Sequence, residues 1–97
     1  MTFRGKHFGL KLDKLRVQAK YEVMAQMARD AEISGGYLSK LLSGDEYNPS
    51  RAILRRLATV LAVRLIEDKS QIKSKSTRLY NDLEEARQRD MEEAGRE

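Results

Sequence analysis

From Met24 to Ser43 the chain reads MAQMARDAEISGGYLSKLLS, two short helical runs joined by a link too brief to let them lie side by side. Met24, Met27, Ala28 and Ala31 recur at helical intervals and predict a buried stripe on one helix. Leu38, Leu41 and Leu42 do the same for a second. Glu32, Ile33 and Ser34 form the break between them. So short a link makes the helices cross steeply, with Ala28 where the two backbones approach and a larger side chain would clash. That is a helix-turn-helix arrangement, and it constrains the rest of the chain more than any other stretch.

A chain of 97 residues, 40% hydrophobic and 35% charged, holds one small helical domain with an appendage and has no room for a cleft between two lobes. There is no cysteine, so packing must do the stabilising that disulfides or thiolate-bound metals do elsewhere. The sequence shows no paired nucleophile and base, no phosphate-cradling loop and no metal-ligand cluster; neither catalysis nor a cofactor or metal is expected. His7, the one histidine, has no second ligand near it in sequence. No apolar run approaches the roughly 20 residues that cross a bilayer, and the opening MTFRGKHFG lacks the apolar stretch of a signal peptide, so a cytoplasmic location is expected.

The net charge is +4, and its distribution says more than its sum. Six basic residues face one acid from Met1 to Lys20, two face five from Tyr21 to Ser50, and four face none from Arg51 to Ile66. A polyanionic partner would therefore be attracted mainly by the N-terminal arm and a fourth helix.

Residues 1–9, with Arg4, Lys6 and His7 and two glycines, read as a mobile basic arm suited to a phosphate backbone or a minor groove. Phe8, Leu12, Leu15 and Ala19 share one face of a first helix, with no glycine or proline to mark its end. Ser34 is placed to cap the helix that carries Leu38 and Leu41. Gly35 and Gly36 then cost up to about 1 kcal/mol each if helical. Either the backbone must lie close to an outside surface there, or the helix begins later, near Tyr37, which the propensities favour. Ser43 and Gly44 end it. Asn48 followed by Pro49 predicts the next helix start, with Asn48 as cap, and Ile53, Leu54, Leu57, Ala58, Leu61 and Ala62 form the clearest amphipathic stripe. From Leu65 onward the chain reads as one long polar helix. Leu65, Ile72, Leu79 and Ala86 recur every seven residues, but of the companion positions Lys69, Ser76, Leu83 and Asp90 only Leu83 is apolar. Residues 67–97 are then either a solvated tail or a dimerisation segment that uses Leu79, Tyr80, Leu83 and Ala86.

The stretch from about Leu10 to Glu67 resembles the DNA-binding domain of the lambda-repressor and Cro-like family, also called the xenobiotic response element family. The likeness rests on Leu15-Arg16, Met27-Ala28, Ile33-Ser34, Leu38-Ser39 with Leu41, Gly44, Pro49, and the run from Leu54 through Leu57-Ala58 to Leu61-Ala62-Val63. The resemblance implies an all-α fold of five helices over residues 10–66, followed here by a long C-terminal helix. It also implies a third helix in the major groove and homodimers on two-fold half-sites. The chain departs from the family in three respects: Met24 stands where a phosphate-bracing glutamine is usual, Glu32 where the turn usually has glycine, and Gly35 and Gly36 where early base-reading residues usually stand.

Tyr37, Ser39, Lys40 and Ser43 remain as base readers, Lys40 foremost because it aligns with a reading position and can donate to guanine O6 and N7. Ser34, Gly35, Gly36, Asn48, Ser50 and Arg51, with Arg4 and Lys6 of the arm, are the expected phosphate contacts. The expected function is a sequence-specific regulator of double-stranded DNA, a homodimeric repressor with no small-molecule ligand. The alternatives are a protein-interaction module of the same fold, such as an antitoxin or accessory factor, and an architectural protein that bends DNA with little sequence preference.

Overall fold

Phe8, Leu12, Leu15 and Ala19 are buried along one side of α1 (Phe8–Gln18) in the computed structural model, which describes residues 4–96. The end of α1 needs neither glycine nor proline, because Lys20 itself takes the left-handed conformation at φ 60°. Arg64 holds that turn. Its guanidinium donates to the Ala19 and Lys20 carbonyls at 2.9 and 3.0 Å and lies 3.9 Å over the Tyr21 ring. The Tyr21 hydroxyl donates to Asp30 at 2.7 Å, and its pKa is pushed up to about 12, first by burial and then by the Asp30 carboxylate.

Short α2 (Met24–Asp30) buries Met27 and Ala28, whereas Met24, expected on the buried stripe, is 37% exposed. After Ala31 the chain turns through Glu32 at φ 58°, a non-glycine residue held left-handed, and the Ile33 N–H closes the turn on the Ala28 carbonyl at 2.9 Å. Then comes α3 (Gly35–Ser43), which starts at Gly35 and not near Tyr37. The Ser34 hydroxyl accepts from the Tyr37 N–H at 3.0 Å, and with Leu38 and Leu41 fully buried, cap and packing together outweigh the low helix propensity of two glycines.

The expected cap of the next helix is also corrected. It is Ser50, whose hydroxyl accepts from the Ile53 N–H at 3.3 Å, so α4 runs Arg51–Leu65 with Pro49 just before the cap. Leu54, Leu57 and Leu61 have none of their surface exposed, each such burial being worth about 1.5–3 kcal/mol. The helix does not continue past Leu65. Ile66 is extended, and Asp68 caps a single 3-10 turn, Lys69–Gln71, from which α5 (Ile72–Gly95) departs.

α5 returns antiparallel along α4. Thr59 meets Ser76 at 3.1 Å, Arg55 lies over the Tyr80 ring at 5.3 Å, and Asn48 accepts from Arg87 at 2.7 Å. Leu79, Leu83 and Ala86 are thereby buried in one core with α1 and α4. This corrects two expectations. Residues 67–96 are neither a solvated tail nor a separable extension, and three of the four residues expected at a dimer contact are interior. Tyr80 alone of that set is half-buried. Among the described residues, all regular structure is helical, and no helix is long and apolar enough to cross a membrane.

Candidate nucleic-acid interface

The helix expected to read bases presents a two-sided arrangement. Leu38 and Leu41 anchor α3 on α1 and α2, while Gly35, Gly36, Ser39, Lys40 and Ser43 are exposed on the other side. α5 packs on α4 and α1 and leaves this flank uncovered. The Lys40 ammonium has neither an ion pair nor a hydrogen bond among the described residues, so its three donors are free. Tyr37 sits half-buried at the edge of the flank, its pKa raised by burial and by the Glu46 carboxylate. Ser43 is turned inward on its own backbone, donating to the Lys40 carbonyl at 3.2 Å and accepting from the Asp45 N–H at 3.4 Å. Of the four expected base readers, Ser39 and Lys40 therefore project most freely.

The expected phosphate contacts gather on either side of α3. Ser34, Gly35 and Gly36 form its first turn, and an alanine Cβ at either glycine would meet nothing within 4 Å among the described residues. Neither glycine is required by the fold. At the other end Gly44, at φ 90°, closes α3, and its carbonyl accepts from the Gly5 N–H at 2.9 Å. This contact brings the basic N-terminal residues against the end of the candidate reading helix.

Residues 4–9 are not the mobile arm the sequence suggests; Met1–Phe3 of that expected arm lie outside the described residues. The fully buried Asp90 carboxylate accepts from three consecutive backbone N–H groups, those of Lys6, His7 and Phe8, at 2.8, 2.8 and 2.9 Å. These are donors at the start of α1 that the helix itself cannot satisfy, so a carboxylate from α5 caps a helix more than 80 residues away in sequence. Arg4 pairs with Asp45 at 2.9 Å, both largely exposed, which leaves its charge weakly held and exchangeable.

His7 gains neighbours that its sequence context did not supply. Its Nε2 pairs with Glu93 at 2.9 Å, and that contact holds the Glu93 carboxyl below the usual carboxylate range. His7, Asp90 and Glu93 offer ligand atoms within 4.8 Å of one another. The donor chemistry does not favour a cation there: both Asp90 oxygens already accept from backbone N–H groups, and Glu93 is engaged by the imidazole.

No family model, curated protein or solved structure matches this chain.

Beyond α3, the loop from Gly44 leads to the start of α4, where Ser50 caps and Arg51 is exposed. Asn48 is expected to contact phosphate, but its side-chain oxygen is held by Arg87 at 2.7 Å and its N–H donates to Glu46 at 3.1 Å. It positions the loop. Arg87 is in turn fixed by Glu84, donating from Nε to Oε2 at 2.9 Å, and those hydrogen bonds hold the Glu84 carboxyl below its ordinary range. Glu84, Arg87 and Asp90 are site-supporting residues that sequence reading missed. The one available signal was the seven-residue spacing that put Asp90 in register with Leu83.

Proposed function

We propose that this chain is a DNA-binding regulator of the lambda-repressor and Cro-like type, with α2 and α3 as the helix-turn-helix and α3 as the helix that enters the major groove. The observation that carries the reading is the division of α3 into a buried side, Leu38 and Leu41, and an uncovered polar side with an unpaired Lys40. Phosphate contact falls to the bare first turn of α3, to the start of α4 with Arg51, and to Lys6 beside the end of α3. Free backbone N–H groups and helix dipoles favour anions at both helix starts, and Arg51 adds a charge-assisted donor. Two such modules on two-fold half-sites would make a repressor of useful specificity, with a dimer contact outside the buried face of α5.

Selection of bound sequences from a random duplex pool tests the reading. An inverted repeat is the expected result. On the selected site, Lys40→Ala should cost about 1–3 kcal/mol and relax the preference at one base pair, whereas Arg51→Ala should weaken all duplexes alike and lower the salt slope by about one. Equal losses on specific and random duplexes for Lys40→Ala would remove it from base reading. Absence of binding to any duplex at low salt, together with tight binding to a protein partner, would replace this function with an interaction module.

The glycine pair gives a second expected outcome. Gly35→Ala and Gly36→Ala should each stabilise the free protein, by up to about 1 kcal/mol, because helix propensity rises and no neighbour is met. Duplex affinity should nevertheless fall, because the added methyl groups stand where backbone N–H groups approach phosphate. Gel shifts and thermal melts of the same two variants check both halves, and unchanged duplex affinity would mean that the glycines do not face DNA.

A further inference from the structure

On the side of α4 that faces the first half of α5, an open groove of about 780 Å³ is lined by cations, hydroxyl-bearing side chains, Asn81 and the apolar Ile72. Arg55 and Thr59 of α4 form one wall; Lys69 of the 3-10 turn and Lys73, Ser76 and Tyr80 of α5 form the other. Among the described residues no carboxylate lines it. Lys69 and Lys73 have no ion-pair partner among the described residues. Asp68, the acid next to Lys69 in sequence, accepts from the Ser70 N–H and hydroxyl at 3.0 and 2.8 Å. Arg55 is steered by the Tyr80 ring 5.3 Å away, and Thr59 and Ser76 share a hydrogen bond of 3.1 Å at the groove.

We infer that this groove binds a small phosphate-bearing molecule of nucleotide size. Three exposed cations line one concavity in which the described residues place no carboxylate, so an anion entering it meets charge of one sign. The volume lies in the range of roughly 300–1,000 Å³ that small-ligand sites occupy. Arg55 supplies a planar fork for phosphate oxygens, the two lysines supply point charges, and in the Thr59–Ser76 pair the hydroxyl that accepts keeps its own proton to donate. The aromatic edge of Tyr80 gives a ring-bearing ligand something to rest on. Because α4 and α5 supply opposite walls, occupancy ties the two helices together and stabilises the fold. The inference is independent of the DNA-binding reading, which rests on α3.

Inorganic triphosphate and ATP, titrated into the full chain at physiological salt, test it by nuclear magnetic resonance and thermal melting. Saturable shifts confined to the amides of residues 55–59 and 69–81, with a rise in melting temperature, are expected. Tighter binding of ATP than of triphosphate would show that the ring is read, and equal affinities that phosphate alone is. The double variant Lys69→Ala with Lys73→Ala should bind at least about tenfold more weakly while keeping its helical spectrum, and Lys11→Ala with Lys14→Ala on α1 should change little. Shifts spread over every basic surface, equal weakening in both double variants, or no saturation at millimolar ligand would overturn the inference. Displacement of triphosphate from these amides by a DNA duplex would also overturn it and assign the groove to nucleic acid.

Discussion

Asp90→Ala should lower the stability of the fold by about 3–5 kcal/mol, because it orphans three backbone N–H groups at once and each unsatisfied buried donor costs roughly 1–3 kcal/mol. The Phe8 N–H is fully buried and cannot turn to water, while the Lys6 and His7 groups recover part of their loss by hydration. The favourable placement of a negative charge at the start of α1 is lost as well. Against a typical total of about 5–15 kcal/mol, this is enough to populate the unfolded state. Asp90→Asn separates the contributions, since it keeps one acceptor oxygen and turns an NH2 toward an N–H group. Denaturant midpoints would show it intermediate between the parent and the alanine variant. A loss below about 1 kcal/mol for Asp90→Ala would mean that water or another acceptor caps α1 equally well.

Gly44→Ala should cost about 2–4 kcal/mol, for two reasons that act together. At φ 90° an alanine is strained, and its Cβ would collide with the Gly5 carbonyl oxygen, a backbone atom that cannot swing aside. The N-terminal residues would have to leave the end of α3, and the Gly5 N–H would lose its 2.9 Å bond to Gly44. Gly95→Ala is the control: among the described residues nothing lies within 4 Å of its Cβ, and no loss is expected. Combined with Asp90→Ala, the cost of Gly44→Ala should be less than additive, because both release the same residues. Full additivity, measured by the same denaturant midpoints, would show that the two contacts are independent.

The parts of the fold legible in the sequence are those written locally. The faces of α1, α3 and α4 follow from apolar spacing, and Leu38, Leu41, Leu54, Leu57 and Leu61 are all fully buried as the spacing requires. Ser34 caps α3 because serine, the turn before it and the buried residues after it agree. The failures have a common cause in distance along the chain. Asn48 has every local mark of a cap, yet Arg87 takes its side chain from 39 residues away and leaves the cap to Ser50. Asp90 reads as a break in an apolar seam, because the three donors that justify its burial come from residues 6–8. The α1 to α2 boundary was hidden for the same reason, its left-handed Lys20 being held by Arg64. Of the candidate interface, the exposed side of α3 was visible in advance; the fixing of residues 5–8 beside it was not.

The hold of Asp90 on residues 6–8 also sets an order of events during synthesis. When α1 first emerges its opening amide groups have no partner, and they gain one only when the segment around residue 90 has left the ribosome. Local helices can flicker into place on the nascent chain, but the contact that completes α1 waits for α5, so the packing of the two should arise in one step after both are made.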